Sequence, residues 1–269
     1  MKSRTILIPS PGGQMKIVIL SPRRAKGPVP GILWIHGGGY TIGMPAMVHV
    51  SLGRMLARHF GAVVLSPGYR LAGQAPYPAA LEDCYCALEY MYDHADELGI
   101  RRDMIVVGGE SAGGGLAAAV CIYARDRGGR IPIALQLPVY PMLDCEDTPS
   151  SADNHALTWN TRRNHRGWKK YLGVLYGGDH VPKYASPSME TDYSGLPPAY
   201  TFVSDGEPFR DETLDYVRQL QEAGVKASAD VYHSSIHGFD MFLFWTPKAR
   251  QARRKLREAY RQVIQTEEN

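Results

Sequence analysis

The chain of 269 residues holds only four cysteines, Cys84, Cys86, Cys121 and Cys145, none in the Cys-x-x-Cys spacing of a zinc site or redox motif. Neither a disulfide framework nor a metal is expected, and the thiols are read as reduced. Charge of one sign is in little excess, since 30 Lys plus Arg stand against 27 Asp plus Glu and leave a formal +3. That balance argues against nucleic acid or an acidic polymer as partner. No run of about 18 uninterrupted apolar residues occurs, so no membrane span is expected. The N-terminal segment breaks its apolar runs with Pro9, Pro11, Gly12, Gly13 and Lys16; it does not read as a secretory signal, and a cytoplasmic location is expected. With 44% hydrophobic and 21% charged residues, the chain is neither disordered nor fibrous, and residues 1–269 read as one domain.

Two β-like runs, residues 5–9 and 15–20, flank a Pro/Gly turn and predict an antiparallel hairpin. Short runs rich in Val, Ile and Leu then recur at 31–35, 62–66, 104–107, 133–137, 199–203 and 227–232, and being apolar on both faces they read as buried parallel strands. Stretches 47–60, 81–98, 116–126, 212–223 and 247–265 carry apolar residues at helical spacing, with Gly61, Gly99, Gly128 and Gly224 placed as helix stops. Alternation of strand and helix predicts an α/β fold with a mostly parallel central sheet and helices on both faces. Residues 141–198 lack a clear strand and are too long for an ordinary connection, so they predict a helical cap or lid inserted over the sheet edge.

Gly109-Glu110-Ser111-Ala112-Gly113 is a G-x-S-x-G sequence set between a predicted strand and a predicted helix. That context suits a nucleophilic serine on a strained turn, its Oγ raised over the carboxyl edge of the sheet and its backbone beside a helix N-terminus. A glycine-rich helix entry that binds phosphate, or nothing, is the alternative. His36-Gly37-Gly38-Gly39 follows the strand at 31–35 and emerges at the same edge. The amides of Gly37, Gly38 and Ala112 would form an oxyanion hole, whereas His36 is read as structural, ending its strand and bonding the loop backbone.

These two motifs together resemble the hormone-sensitive-lipase-like family of α/β-hydrolases, esterases with an HGGG motif. Further segments are similar to that family's: Tyr69-Arg70-Leu71-Ala72 followed by Pro76-Tyr77-Pro78-Ala79, then Tyr184-Ala185-Ser186-Pro187 and Leu196-Pro197-Pro198. The resemblance runs from about residue 30 to about residue 245. It implies an acid in the segment Glu207-Pro208-Phe209-Arg210-Asp211-Glu212 and a catalytic histidine in His237-Gly238-Phe239. Ser111, acid and His237 then follow in the chain order this fold requires. His237 would serve as base and acid, with the carboxylate fixing its tautomer; His233 is the weaker candidate.

The acid departs from the family pattern, because Glu207 stands where Asp is usual and Asp205 lies two residues earlier. Register with the residues after it favours Glu207, and Asp211 and Glu212 are read as helix N-terminal charges. Gly68, Gly73 and Gln74 also depart from the pattern around Tyr69–Ala72, which implies a weakened or rewired polar network. The short stretch before His36 implies an open pocket, roofed mainly by residues 141–198. Tyr40, Trp159 and Trp168 are candidates to line it for substrate, or else belong to the core of the cap.

The basic run Lys248, Arg250, Arg253, Arg254, Lys255, Arg257 and Arg261, interrupted by Glu258 and by Glu267 and Glu268, is read as a solvated helix face in preference to a contact with acidic lipid. The resemblance also implies pairing of two copies through the strand at 227–232. The function expected is a serine carboxylesterase for short-chain esters, working through an acyl-enzyme without cofactor. An aryl amide or formamide hydrolase with the same triad, and a non-catalytic ligand-binding member of the fold, are the alternatives.

Overall fold

The computed structural model describes residues 1–265; Glu267 and Glu268 lie outside them. Strands apolar on both sides need cover on both sides, and the chain provides it. Strands β1 (Lys2–Ser10), β2 (Gly13–Ser21), β3 (Val29–Ile35), β4 (Val63–Pro67), β5 (Ile100–Glu110), β6 (Ile133–Val139), β7 (Ala199–Ser204) and β8 (Ala227–Tyr232) form an 8-stranded sheet in the order β1-β2-β4-β3-β5-β6-β7-β8. The β1–β2 and β2–β4 pairs are antiparallel; every pair from β4 to β8 is parallel.

Helices α1 (Leu52–Phe60), α2 (Ala79–Asp93), α3 (Ala95–Leu98), α4 (Ala112–Asp126), α5 (Thr161–Leu172), α6 (Arg210–Glu222), α7 (Phe239–Phe242) and α8 (Pro247–Gln265) complete the chain. One core joins α2, α4 and α6 to a face of the sheet through side chains such as Leu88, Leu116 and Leu220. The second lies under α1 and α8, where Leu52 and Leu56 meet Ala252, Leu256 and Tyr260. The three- and four-residue spacing of Ala249, Ala252, Leu256 and Tyr260 turns one stripe of α8 to the sheet and its arginines away from it. Gly61 and Gly99 end α1 and α3 in left-handed backbone, with φ of 80° and 68°.

Register decides where chemistry can gather. Ile35 on β3 sits beside Gly109 on β5, Glu110 beside Val139 on β6, and Ser204 on β7 beside Tyr232 on β8. The segments that begin at 36, 111, 140, 205 and 233 therefore all leave the sheet at one carboxyl edge. Residues 141–198 run between β6 and β7 above that edge and hold α5.

Candidate active site

Ser111 sits between β5 and α4 with φ 59° and ψ −122°, a positive-φ conformation that costs a non-glycine residue about 1–3 kcal/mol. The turn closes only because residues 109 and 113 lack side chains. A Cβ on Gly109 would lie 2.5 Å from Ile35 O, and one on Gly113 2.5 Å from His36 O, so helix α4 could not otherwise approach β3. The turn is held by Ser111 N donating to Val139 O at 3.0 Å and by Met142 N donating to Ser111 O at 3.1 Å.

Ser111 Oγ lies 2.9 Å from His237 Nε2, and His237 Nδ1 lies 2.9 Å from Glu207 Oε2. All three side chains are buried, Glu207 completely. Burial pushes the Glu207 carboxyl up while the His237 ring opposes that shift. The ring of His237 is packed edge-on by Tyr140 at 4.9 Å and by Phe209 at 5.0 Å between centroids. Asp205 is directed elsewhere: it accepts from Ser234 N at 2.9 Å and meets His233 Nδ1 at 2.7 Å, where the His233 side chain is fully exposed.

The glycine loop after β3 lies against the serine, and Gly37, Gly38 and Ser111 line one cavity of about 560 Å³, within the range of small-molecule sites. Among the hydrogen bonds of the described residues, neither Gly37 N–H nor Gly38 N–H is a donor, whereas Gly38 O accepts from Thr41 N and Ile42 N at 3.1 Å each. The loop's amides thus remain free while its carbonyl is fixed. Ala112 opens α4 in the first turn, where backbone N–H groups have no helical partner. His36 bonds Gly37 O through Nδ1 at 2.8 Å and stacks on Tyr69 at 4.3 Å, and Tyr69 donates to His36 O at 2.9 Å. Tyr69–Ala72 therefore braces the glycine loop, and Ala72 N donates to Tyr40 O at 2.8 Å. Around Tyr69–Ala72, Gln74 Oε1 accepts from Leu71 N at 2.9 Å, and Gly68 N donates to Lys16 O at 2.8 Å.

Two expected lining residues are corrected. Tyr40 and Trp168 are each 1% exposed and do not face the cavity. Tyr40 stacks on Tyr171 at 3.9 Å, lies 5.4 Å from Trp168 and donates to Met142 O at 3.1 Å, so these aromatics anchor the insertion to the glycine loop. Trp159 does line the cavity. The roof is also shared more widely than expected. Residues 141–198 contribute Leu157, Thr158, Trp159 and Arg163, but Ile42, Met47, Val48 and Val50 come from the segment before α1, and Met241 and Phe242 from α7. Asp211 and Glu212 stand in the first turn of α6, as expected, but their carboxylates also reach another segment. Glu212 is buried and accepts from Leu143 N at 2.6 Å and Asp144 N at 3.3 Å, while Asp211 accepts from Ser150 N at 2.8 Å. Both tie down the start of the insertion; backbone donors of another segment reach them in preference to those of α6.

A buried acidic group lies behind the serine. Glu110 accepts from Trp34 Nε1 at 2.6 Å and from Leu52 N at 3.2 Å, and burial raises its carboxyl to about 8. Asp240, directly after the His237-Gly238-Phe239 segment, is also buried and raised, and both carboxyls push the Tyr140 phenol further up. The reading from sequence passed over Glu110, Tyr140 and Asp240; the signal for two of them was their position inside or beside the motifs. Among the described residues no cluster of His, Cys, Asp or Glu is arranged to hold a metal ion.

A family model described as alpha/beta hydrolase fold matches residues 32–241. Esterase LipI of Mycobacterium tuberculosis (strain ATCC 25618 / H37Rv) is 32% identical over 244 residues, covering 90% of this chain and 75% of its own length. Carboxylic ester hydrolase LipN of the same strain is 35% identical over 239 residues, covering 86% of this chain and 62% of its own length. Among solved structures, one titled Bacterial Heroin Esterase superposes with a TM-score of 0.90 at 36% identity, covering 97% of this chain and 84% of that one. With the parallel sheet, the serine turn and the glycine loop in place, these matches over most of its length show that the chain belongs to the hormone-sensitive-lipase-like family of α/β-hydrolases.

Proposed function

We propose that the chain is a serine carboxylesterase that hydrolyses short-chain esters. The observation that carries this reading is the continuous relay from Ser111 Oγ through His237 to Glu207, with 2.9 Å at each link, opening into a cavity whose other walls are largely apolar. His237 Nε2 takes the serine proton as Oγ attacks the ester carbonyl. The developing oxyanion is met by the amides of Gly37, Gly38 and Ala112. The imidazolium returns its proton to the departing alkoxide, and water then repeats the sequence on the acyl-enzyme. Glu207 holds the ring in the tautomer with Nδ1–H and balances its charge. Trp159 and the apolar groups at the mouth receive the acyl or alcohol part.

Residues 141–198 serve as the cap in this reading. The chain is placed in the cytoplasm, consistent with its four free thiols, and the outer edge of β8, terminal in the sheet order, is the surface through which two copies would pair. Single-turnover hydrolysis of p-nitrophenyl esters from acetyl to decanoyl, run beside Ser111→Ala, tests the proposal. A burst that depends on Ser111 and declines with acyl length is expected. A burst absent with every ester but present with matched aryl amides would transfer the machinery to amide cleavage, and none with either would leave a binding protein.

A further inference from the structure

The mouth of the catalytic cavity is ringed by large apolar side chains in water. Ile42 is 69% exposed, Val50 76%, Leu157 78% and Phe242 56%, and all four also line the cavity. They come from three separate segments, so their convergence on one opening is not the scatter of single apolar residues found on any surface. Phe244 and Trp245 follow α7, more than half exposed, ring against ring at 5.2 Å.

A groove between α1 and α8 continues from this rim. Arg54 and Arg58 line it from α1, Arg253 and Arg257 from α8, with His49 and His59 beside them; farther along, Arg250 and Arg254 join. No Asp or Glu is among the residues lining either stretch. Groove and cavity share Val50 and Ser51 as a common wall. The exposed aromatic pair is tied to the groove as well, since Arg250 donates to Trp245 O at 2.9 Å. Internal counter-charge is slight: Glu258 stands 3.8 Å from Arg254 Nε, and Arg253 spends a hydrogen bond on the backbone carbonyl of Asp240, whose buried carboxyl is itself shifted toward the protonated form.

Guanidinium groups with little carboxylate counter-charge select phosphate-type anions, and an apolar rim beside them selects acyl chains. Either alone has many explanations; adjoining on one face, they match the two layers of a lipid surface in order. We propose that this face docks on an anionic lipid–water interface, the arginines of α1 and α8 on phosphate headgroups and the apolar rim in the acyl boundary. The cavity then opens toward the lipid phase. Its ester substrates are drawn from that phase, a consequence that rests on the esterase reading, whereas the docking does not.

Sedimentation with vesicles tests the docking without any turnover. Binding is expected to vesicles of phosphatidylcholine mixed with phosphatidylglycerol but not to phosphatidylcholine alone, and to weaken with salt. Trp34 and Trp168 are buried and Trp245 exposed, so a blue shift of emission on binding, lost in Trp245→Ser, reports immersion of the rim. Neutralising Arg250, Arg254 and Arg257 to Gln together should weaken binding on the order of a hundredfold, at roughly fivefold for each arginine. None of these residues lines the catalytic cavity, so hydrolysis of a water-soluble ester is unchanged in these variants and certifies their fold. No binding to either vesicle, equal binding to both, or binding indifferent to the arginine variant would overturn the proposal. So would a dimer in solution that buries the rim and dissociates in Phe244→Ser. If vesicles bind but no ester is turned over, the docking stands and the esterase reading falls.

Discussion

Glu207 Oε2 stands 2.9 Å from His237 Nδ1, although the chain offers Asp205 only two residues away. The Asp205 carboxylate is taken by Ser234 N and the His233 ring, both at the start of the loop after β8, while His237 lies farther along that loop. Glu207→Gln should therefore lower kcat by about 10³–10⁴, the scale for loss of the tautomer-fixing carboxylate. Asp205→Asn should leave it within about twofold. Equal losses in the two variants would displace Glu207 from its role. Because the base must be neutral imidazole, the rate should rise from acid toward neutral pH in wild type, and a flat profile would contradict general-base attack.

The glycine loop gives a second test. Gly38 has φ +124°, and a Cβ there would collide with the carbonyl of Ile42, so Gly38→Ala must move one of the amides that receive the oxyanion. A fall in kcat of about 10²–10³ is expected, the usual cost of one such donor, with KM changing far less. Gly73→Ala is the control, since nothing lies within 4 Å of its Cβ position. Steady-state kinetics on one soluble ester compares the two.

Stability should depend on pH through Glu110. Burial raises the folded carboxyl to about 8, against 4.5 for a free glutamate side chain. Between those values the native state binds more protons than the unfolded chain, so this group's contribution is full at acid pH and is lost as pH rises toward 8. Glu110→Gln removes the ionisation and keeps one oxygen, for Trp34 Nε1 or for Leu52 N, which bond different carboxylate oxygens in the wild type. Urea denaturation near pH 5 and near pH 8 should show the wild type losing more stability than the variant, by at least about 1.4 kcal/mol, the equivalent of one pKa unit. Parallel losses would mean that Glu110 is not the titrating group.

Arg70 holds Asp83 from two directions, Nε at 2.8 Å and Nη2 at 3.0 Å, while its backbone N–H donates to the same carboxylate at 2.9 Å. Asp83 is 1% exposed, so Arg70→Met leaves a buried carboxylate without its cation. A loss of about 2–3 kcal/mol is expected, somewhat under the range for fully buried pairs because Arg70 is partly exposed. Arg70→Met with Asp83→Leu should cost less than the sum of the single changes. Additive losses by calorimetry would mean that the pair is not coupled.

Much of this molecule was legible along the chain. The apolar runs at 31–35, 62–66, 104–107, 133–137, 199–203 and 227–232 each became a strand within a few residues of those bounds, because a segment apolar on both faces has only a covered sheet to enter. The strained turn at Ser111 was also local information, since the glycines at 109 and 113 are required by backbone contacts of that turn. The sequence favoured Glu207 over Asp205 and His237 over His233, but the contacts that decide between such equivalent side chains are tertiary. Which carboxylate meets which imidazole, and which aromatics face the cavity, depended on where segments distant along the chain from Ser111 come to rest. Tyr40 and Trp168 were drawn into the packing of α5 instead of the pocket, and Glu212 was drawn to the amides of Leu143 and Asp144. Local pattern sets backbone conformation because its causes lie within a few residues; the partner of a given carboxylate or ring is set by sheet register and burial, which exist only once the chain has closed on itself.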